Sequence, residues 1–301
     1  MKIIVTGSLG NISKPLTQEL VQQGHKVTVI SSNPERQADI EALGATAAIG
    51  SVEDVNFLTA TFNGADAIYC MVPPANYFDQ NLDLPAYTRN VADNYARAIQ
   101  AAGVKRVVFL SSIGAHLSEG NGIIQVYHEV EKIISQLPDT AITFMRPTSF
   151  YYNLLGYVAA IKKAGSVFVN YGQEKIIWVS PKDIAAAIAE ELQTPSGKTI
   201  RYVASDERTG PETAAVLGAA IGKPDLQWII VADKQVQNSL EAVGMQPSIA
   251  AGLVQMYASC RSGDFWEDYY QHKPAELGKV KLEDFAKDFA LAYQNGQARD
   301  H

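Results

Sequence analysis

Between Ile3 and Leu110 the chain alternates short apolar runs with segments of helical spacing, and this alternation limits its fold more than any other feature. The runs are Ile3-Ile4-Val5, His25 to Ser32, Ala45 to Gly50, Ala67 to Val72 and Val104 to Leu110. Strands apolar on both faces that alternate with helices indicate a parallel sheet covered on both sides. Between them, Asn11 to Gly24 places Ile12, Leu16, Leu20 and Val21 at three- and four-residue steps, the repeat of one helix face. A Glu- and Ala-rich segment, then Asp54 to Phe62 and Ala86 to Ala102, supply further helices. Pro73-Pro74 ends the fourth run, since proline cannot extend a strand ladder. A helix over Val126 to Gln136 and a sixth strand over Ala141 to Met145 continue the order. The expected fold is α/β, with a doubly wound parallel sheet.

The second half is less regular. Ile176-Ile177-Trp178-Val179 reads as a strand running into a helix that starts at Ser180-Pro181-Lys182-Asp183, with proline in its first turn. Ile200 to Val203 and Trp228 to Val231 are further strand candidates, Thr209-Gly210-Pro211-Glu212 opens a helix, and from Lys234 onward the pattern is mostly helical. The expected division is a sheet domain over 1–150 and a smaller, mostly helical lobe over 151–301, with about 175–192 returning to the main sheet. At 47% hydrophobic and 19% charged residues, extensive disorder is excluded. The 25 basic residues against 32 acidic ones give a net charge of −7, with no basic run, which argues against a nucleic-acid partner. Two distant cysteines suggest neither a disulfide framework nor a metal knuckle, and no apolar run is long enough for a membrane span. With too short an apolar start for a secretory leader, a cytoplasmic monomer or homodimer is expected.

Thr6-Gly7-Ser8-Leu9-Gly10-Asn11-Ile12-Ser13 joins the first strand to the first helix. Glycines allow the sharp turn and the close approach of a diphosphate, while free amides at the helix start bind the anion. The spacing Gly7-x-x-Gly10-x-x-Ser13 differs from G-x-G-x-x-G, with serine where a third glycine often allows helix packing. Its place directly after the first strand of a Rossmann-type alternation points to a dinucleotide, held by Gly7, Ser8, Leu9, Gly10, Asn11 and Ile12. The second strand ends Ile30-Ser31-Ser32-Asn33, without the acid that holds the ribose hydroxyls of NAD. Ser32 and Asn33 are expected at the ribose, and Arg36 is placed to neutralise a 2′-phosphate, so NADP is favoured over NAD.

With those segments in place, the chain resembles the NmrA-like branch of the atypical short-chain dehydrogenase/reductase superfamily. The resemblance is carried by the glycine turn, Ser32-Asn33-Pro34-Glu35, Leu110-Ser111-Ser112-Ile113-Gly114-Ala115, Glu131-Lys132, Arg146-Pro147-Thr148-Ser149-Phe150, Val179-Ser180-Pro181-Lys182-Asp183-Ile184-Ala185 and Lys281-Leu282-Glu283-Asp284-Phe285-Ala286. It spans nearly the whole chain. It implies either an NAD(P)H-dependent quinone or dye reductase or a redox-sensing regulator that binds the dinucleotide without turnover. Two departures stand out. Ser32 replaces the arginine that often precedes Asn-Pro in the family, and Tyr127-His128-Glu129-Val130-Glu131 puts a carboxylate where relatives with Tyr-x-x-x-Lys have lysine.

Residues four apart share a helix face, so Glu131 is expected beside Tyr127, raising its pKa and disabling a tyrosinate relay. Tyr127 remains a candidate hydrogen-bond donor to a substrate oxygen, and at the fifth strand's end Ser112 is a second catalytic candidate and Ser111 is expected to bind the cofactor beside the nicotinamide. Without Tyr-x-x-x-Lys, acceptors that yield stabilised anions, such as quinones and conjugated dyes, suit the site better than simple ketones. Met71, Val72 and Pro73 are expected along the cofactor, with Pro147 and Phe150 at the nicotinamide edge. Tyr77, Phe78 and Tyr151 are candidate contacts to a flat aromatic or conjugated substrate. His128 lacks the second ligand of a zinc-binding helix, so no metal is expected.

Overall fold

The computed structural model describes residues 1–194 and 199–295. Its first half runs β1 (Lys2–Val5), α1 (Ser13–Gln22), β2 (Lys26–Ser31), α2 (Gln37–Ala42), β3 (Thr46–Ile49), α3 (Val55–Phe62), β4 (Ala67–Cys70), α4 (Leu84–Ala102), β5 (Arg106–Leu110), α5 (Gln125–Ile134) and β6 (Ala141–Pro147). Its second half runs β7 (Ser149–Phe150), α6 (Val158–Ala164), β8 (Ser166–Val169), β9 (Ile176–Val179), α7 (Pro181–Gln193), β10 (Thr199–Val203), β11 (Asp206–Arg208), α8 (Gly210–Ala220), β12 (Gln227–Ile230), α9 (Asp233–Ala242), α10 (Pro247–Ser259), α11 (Asp264–Gln271) and α12 (Leu282–Asn295).

Seven parallel strands form the main sheet in the order β10-β6-β5-β4-β1-β2-β3. The winding reverses between β1 and β4, and in such sheets a crevice opens at the strands' carboxyl ends at that point. Successive residues serve opposite faces. Ile3 and Val5 pack with Leu16 and Leu20 of α1 and Ile184 and Ile188 of α7, while Ile4 packs with Leu58, Val91, Tyr95 and Val130 from α3, α4 and α5. Burial on both sides is why the strands carry no polar alternation.

Local chemistry sets the element ends. Asp54 caps α3 by accepting from the amides of Asn56 and Phe57, at 2.9 and 3.1 Å. Asp83 accepts from Ala86, so α4 starts at Leu84, ahead of the apolar spacing, with proline in its first turn. β4 stops at Cys70 because the next amide, Met71, donates to Thr6 Oγ1 at 3.0 Å.

The second half departs from expectation in one respect. The 175–192 stretch reaches the main sheet through α7 alone, which lies on its face beside α1. β9 pairs instead with β7 and β11 in a separate three-stranded sheet, and β10 completes the main sheet beside β6. β8 and β12 form a third, two-stranded sheet. The α9–α10 turn reaches the β4–α4 loop. The Gln246 amide donates to the Tyr77 carbonyl at 2.9 Å, Gln246 Nε2 to the Leu82 carbonyl at 3.0 Å, and Gln80 Nε2 to the Gly244 carbonyl at 3.1 Å. Among the described residues, no helix is long and apolar enough to cross a membrane.

Candidate active site

The β1–α1 turn is built around Gly7. Its φ of +86° lies in the left-handed region, and a Cβ there would come within 2.5 Å of Met71 Sδ and 2.7 Å of Ser13 Oγ. Ser8 shares the left-handed region at φ +54°. Its amide donates to the Ile30 carbonyl at 3.0 Å and its hydroxyl to Ser31 Oγ at 2.9 Å. Ser13 fits where a glycine was expected because its buried hydroxyl donates to the Thr6 carbonyl at 2.7 Å. Among the described residues, the amides of Leu9, Asn11 and Ile12 have no hydrogen-bond acceptor. Open amides at a helix start, over a cradle that a Cβ would fill, fit a pyrophosphate. Ile12 contributes its amide alone, for its side chain is in the core.

At the end of β2, the Ser31 hydroxyl accepts from the Asn33 amide at 3.2 Å, and Asn33 Oδ1 caps the following turn by accepting from Glu35 at 2.9 Å. Ser32 is exposed. Arg36 lies on the surface with Nη1 3.3 Å from Asp39, so both partners are largely in water. Such a pair is weak, which leaves the guanidinium able to turn toward a phosphate.

Along β4 and β6, most of the expected cofactor contacts present backbone. The Val72 side chain is in the core, Met71 rests against Gly7, and the Pro73 carbonyl accepts from Tyr87 Oη at 3.2 Å. Pro147 is buried, its carbonyl accepting from Ile113 at 3.0 Å. Thr148, just beyond it, keeps a buried hydroxyl with no hydrogen-bond partner among the described residues.

Phe150 stacks on Tyr152 with ring centroids 4.9 Å apart and planes 9° from parallel. Tyr151 does not join them. It is 1% exposed, stacks on Trp178 and Phe285 and donates to the Val280 carbonyl at 3.2 Å, so it belongs to the second lobe's core and not to a substrate surface. Tyr77 and Phe78 are half-buried in the β4–α4 loop.

Tyr127 is half-buried on α5, and burial pushes its phenol up, with the nearby phenols of Tyr77, Tyr152 and Tyr87 adding in the same direction. The expectation that Glu131 raises it is overturned, because that carboxylate is committed elsewhere. Glu131 takes a two-pronged pair from buried Arg146, at 2.8 and 2.6 Å, and the Ser111 hydroxyl donates to it at 2.5 Å. Ser111 is therefore buried against α5 and does not offer its hydroxyl to the crevice. Ser112, next along the chain, is half-exposed. Arg146 and Asp268, which complete this charge cluster, were missed; their partners lie 15 and 122 positions apart in sequence.

The model of the NAD(P)H-binding family matches residues 7–195. The chain is 25% identical over 297 residues to an NAD(P)H azoreductase of Xenophilus azovorans, covering 97% of this chain and 99% of the relative. Among solved structures, an NADPH-dependent quinone oxidoreductase from Escherichia coli, complexed with NADPH, aligns with a TM-score of 0.80 at 21% identity over 95% of this chain and 99% of that one. Triphenylmethane reductase of Citrobacter sp. aligns with a TM-score of 0.78 at 18% identity, over 97% and 100%. These two likenesses are of fold. The chain belongs to the NAD(P)H-binding, NmrA-like family of atypical short-chain dehydrogenases/reductases.

Proposed function

We propose that this protein is a reductase that transfers hydride from NADPH, in preference to NADH, to a quinone-like, azo or otherwise conjugated acceptor. Residues 1–150 hold the dinucleotide and supply Tyr77, Tyr87, Ser112 and Tyr127 to the acceptor's wall, and the lobe that begins at 151 adds Tyr152. The observation that carries this reading is the Gly7 turn, with the open amides of Leu9, Asn11 and Ile12 beside it, in a chain that an NAD(P)H azoreductase matches over 97% of its length. A bound nicotinamide supplies the hydride. The open amides of Leu9, Asn11 and Ile12 take the diphosphate, and the aromatic side chains orient a flat acceptor. Tyr127, kept protonated, donates a hydrogen bond to the acceptor's developing anion, Ser112 offers a second donor, and solvent water supplies the proton that completes the reduced product.

NADPH oxidation followed at the nicotinamide absorbance, against quinones and azo and triphenylmethane dyes, tests the reading. Turnover of at least one class is expected. Silence across the panel despite saturable NADPH binding overturns it in favour of a dinucleotide-sensing regulator. Tyr127→Phe is expected to lower quinone reduction by less than about tenfold, the loss of one hydrogen bond to a stabilised anion.

A further inference from the structure

Arg146 stands on β6 with 4% of its side chain exposed. A guanidinium cannot shed its proton, so burial requires carboxylates around it. Glu131 of α5 supplies one, through the two-pronged pair, and Asp268 of α11 the other, accepting from Nη1 at 2.7 Å. Tyr202 of β10 bridges the guanidinium and Asp268. The Ser111 hydroxyl closes the set on Glu131.

α11 grips the same segment by contacts independent of charge. Phe265 lies over Gly114 so closely that a Cβ there would come within 2.6 Å of its ring. The Asp264 carbonyl pairs with His116 Nε2 at 3.2 Å, and Phe265, Trp266 and Tyr269 pack in one cluster with Ile113. The 111–116 segment is thus held by α5 through Ser111 and by α11 through Gly114 and His116. Ser112 lies inside it.

We propose that Glu131, Arg146 and Asp268 are positioning residues that latch α11 onto the 111–116 segment and so fix Ser112 at the reaction site, an inference that rests on the reductase reading above. The three side chains carry two negative charges and one positive. Neutralising either carboxylate leaves a balanced arginine–carboxylate pair, so the fold tolerates the change while the latch weakens. A displacement of about 1 Å in a reaction site costs about 10²-fold in rate, which makes a small release of α11 measurable.

The experiment compares Asp268→Asn with the parent protein by hydrogen exchange over residues 111–117, NADPH fluorescence titration, and kcat and KM for the quinone that turns over fastest. In the variant, exchange over 111–117 should rise about fivefold or more while the glycine turn exchanges as before. kcat should fall about tenfold or more, with KM and the NADPH dissociation constant changed less than about threefold. Asp268→Glu should restore part of both losses. Unchanged exchange, or faster exchange with kcat retained, overturns the proposal. If the parent protein reduces no acceptor, the reductase reading fails by itself, and the exchange comparison alone then upholds or overturns the latch. Should Asp268→Asn not fold, Glu131→Gln, which leaves Arg146 balanced by Asp268, makes the same comparison.

Discussion

Gly7 is the residue on which the β1–α1 turn depends. An added methyl would meet both a left-handed φ of +86° and the Met71 and Ser13 side chains. Gly7→Ala is expected to cost about 1–3 kcal/mol of stability and to abolish saturable NADPH binding, checked by thermal unfolding beside nucleotide fluorescence titration. The glycine turn was legible because backbone chemistry dictates it locally. The proposed preference for NADP rests on a missing acid and on Arg36, which in the structure faces Asp39 on the surface. Arg36→Ala should weaken NADPH about tenfold, equal to about 1.4 kcal/mol, and leave NADH unchanged in calorimetry. NADH binding tighter than NADPH, with neither affinity altered by the substitution, would sink the preference for NADP.

At the scale of elements, α5 shows what spacing does and does not reveal. Four-residue spacing put Tyr127 and Glu131 on one helix face, but which groups answer Glu131 depended on β6 and α11 arriving there. The carboxylate that sequence spacing assigned to Tyr127 serves Arg146 instead. Arg146→Met should leave Glu131 and Asp268 facing each other without their shared cation. A loss of about 3–5 kcal/mol in urea unfolding is expected, as for a broken buried ion pair. Phe150, Tyr151 and Tyr152 make the same point. The three rings look equivalent in sequence, yet the chain turns the middle one into the second core, where Trp178 and Phe285 stack on it.

For the whole molecule, buried phenols set the alkaline limit. Burial raises Tyr69, Tyr95, Tyr127 and Tyr171 alike. A phenol whose folded pKa lies above its unfolded value near 10 contributes stability that is fully present below pH of about 10 and is lost as pH rises through the folded value. These tyrosines should therefore ionise together with unfolding. Tyrosinate absorbance and near-ultraviolet circular dichroism should move together in an alkaline titration. For the same reason, Tyr127 should produce no limb in the pH profile of kcat between about pH 6 and 9. A limb in that range that disappears in Tyr127→Phe would contradict its raised pKa.

By itself the sequence determined the alternation of strands and helices, burial on both faces of the sheet, and the glycine turn, because each follows from neighbours within one element or one connection. Tertiary structure alone decided that β10 and not β9 joins the main sheet, that Ser111 turns to α5, and that Arg146 gathers carboxylates from two helices. Those outcomes depend on partners far apart along the chain. A charge or a ring carries no local mark of the partner that will bury it, whereas a strand or a turn is marked by its own residues.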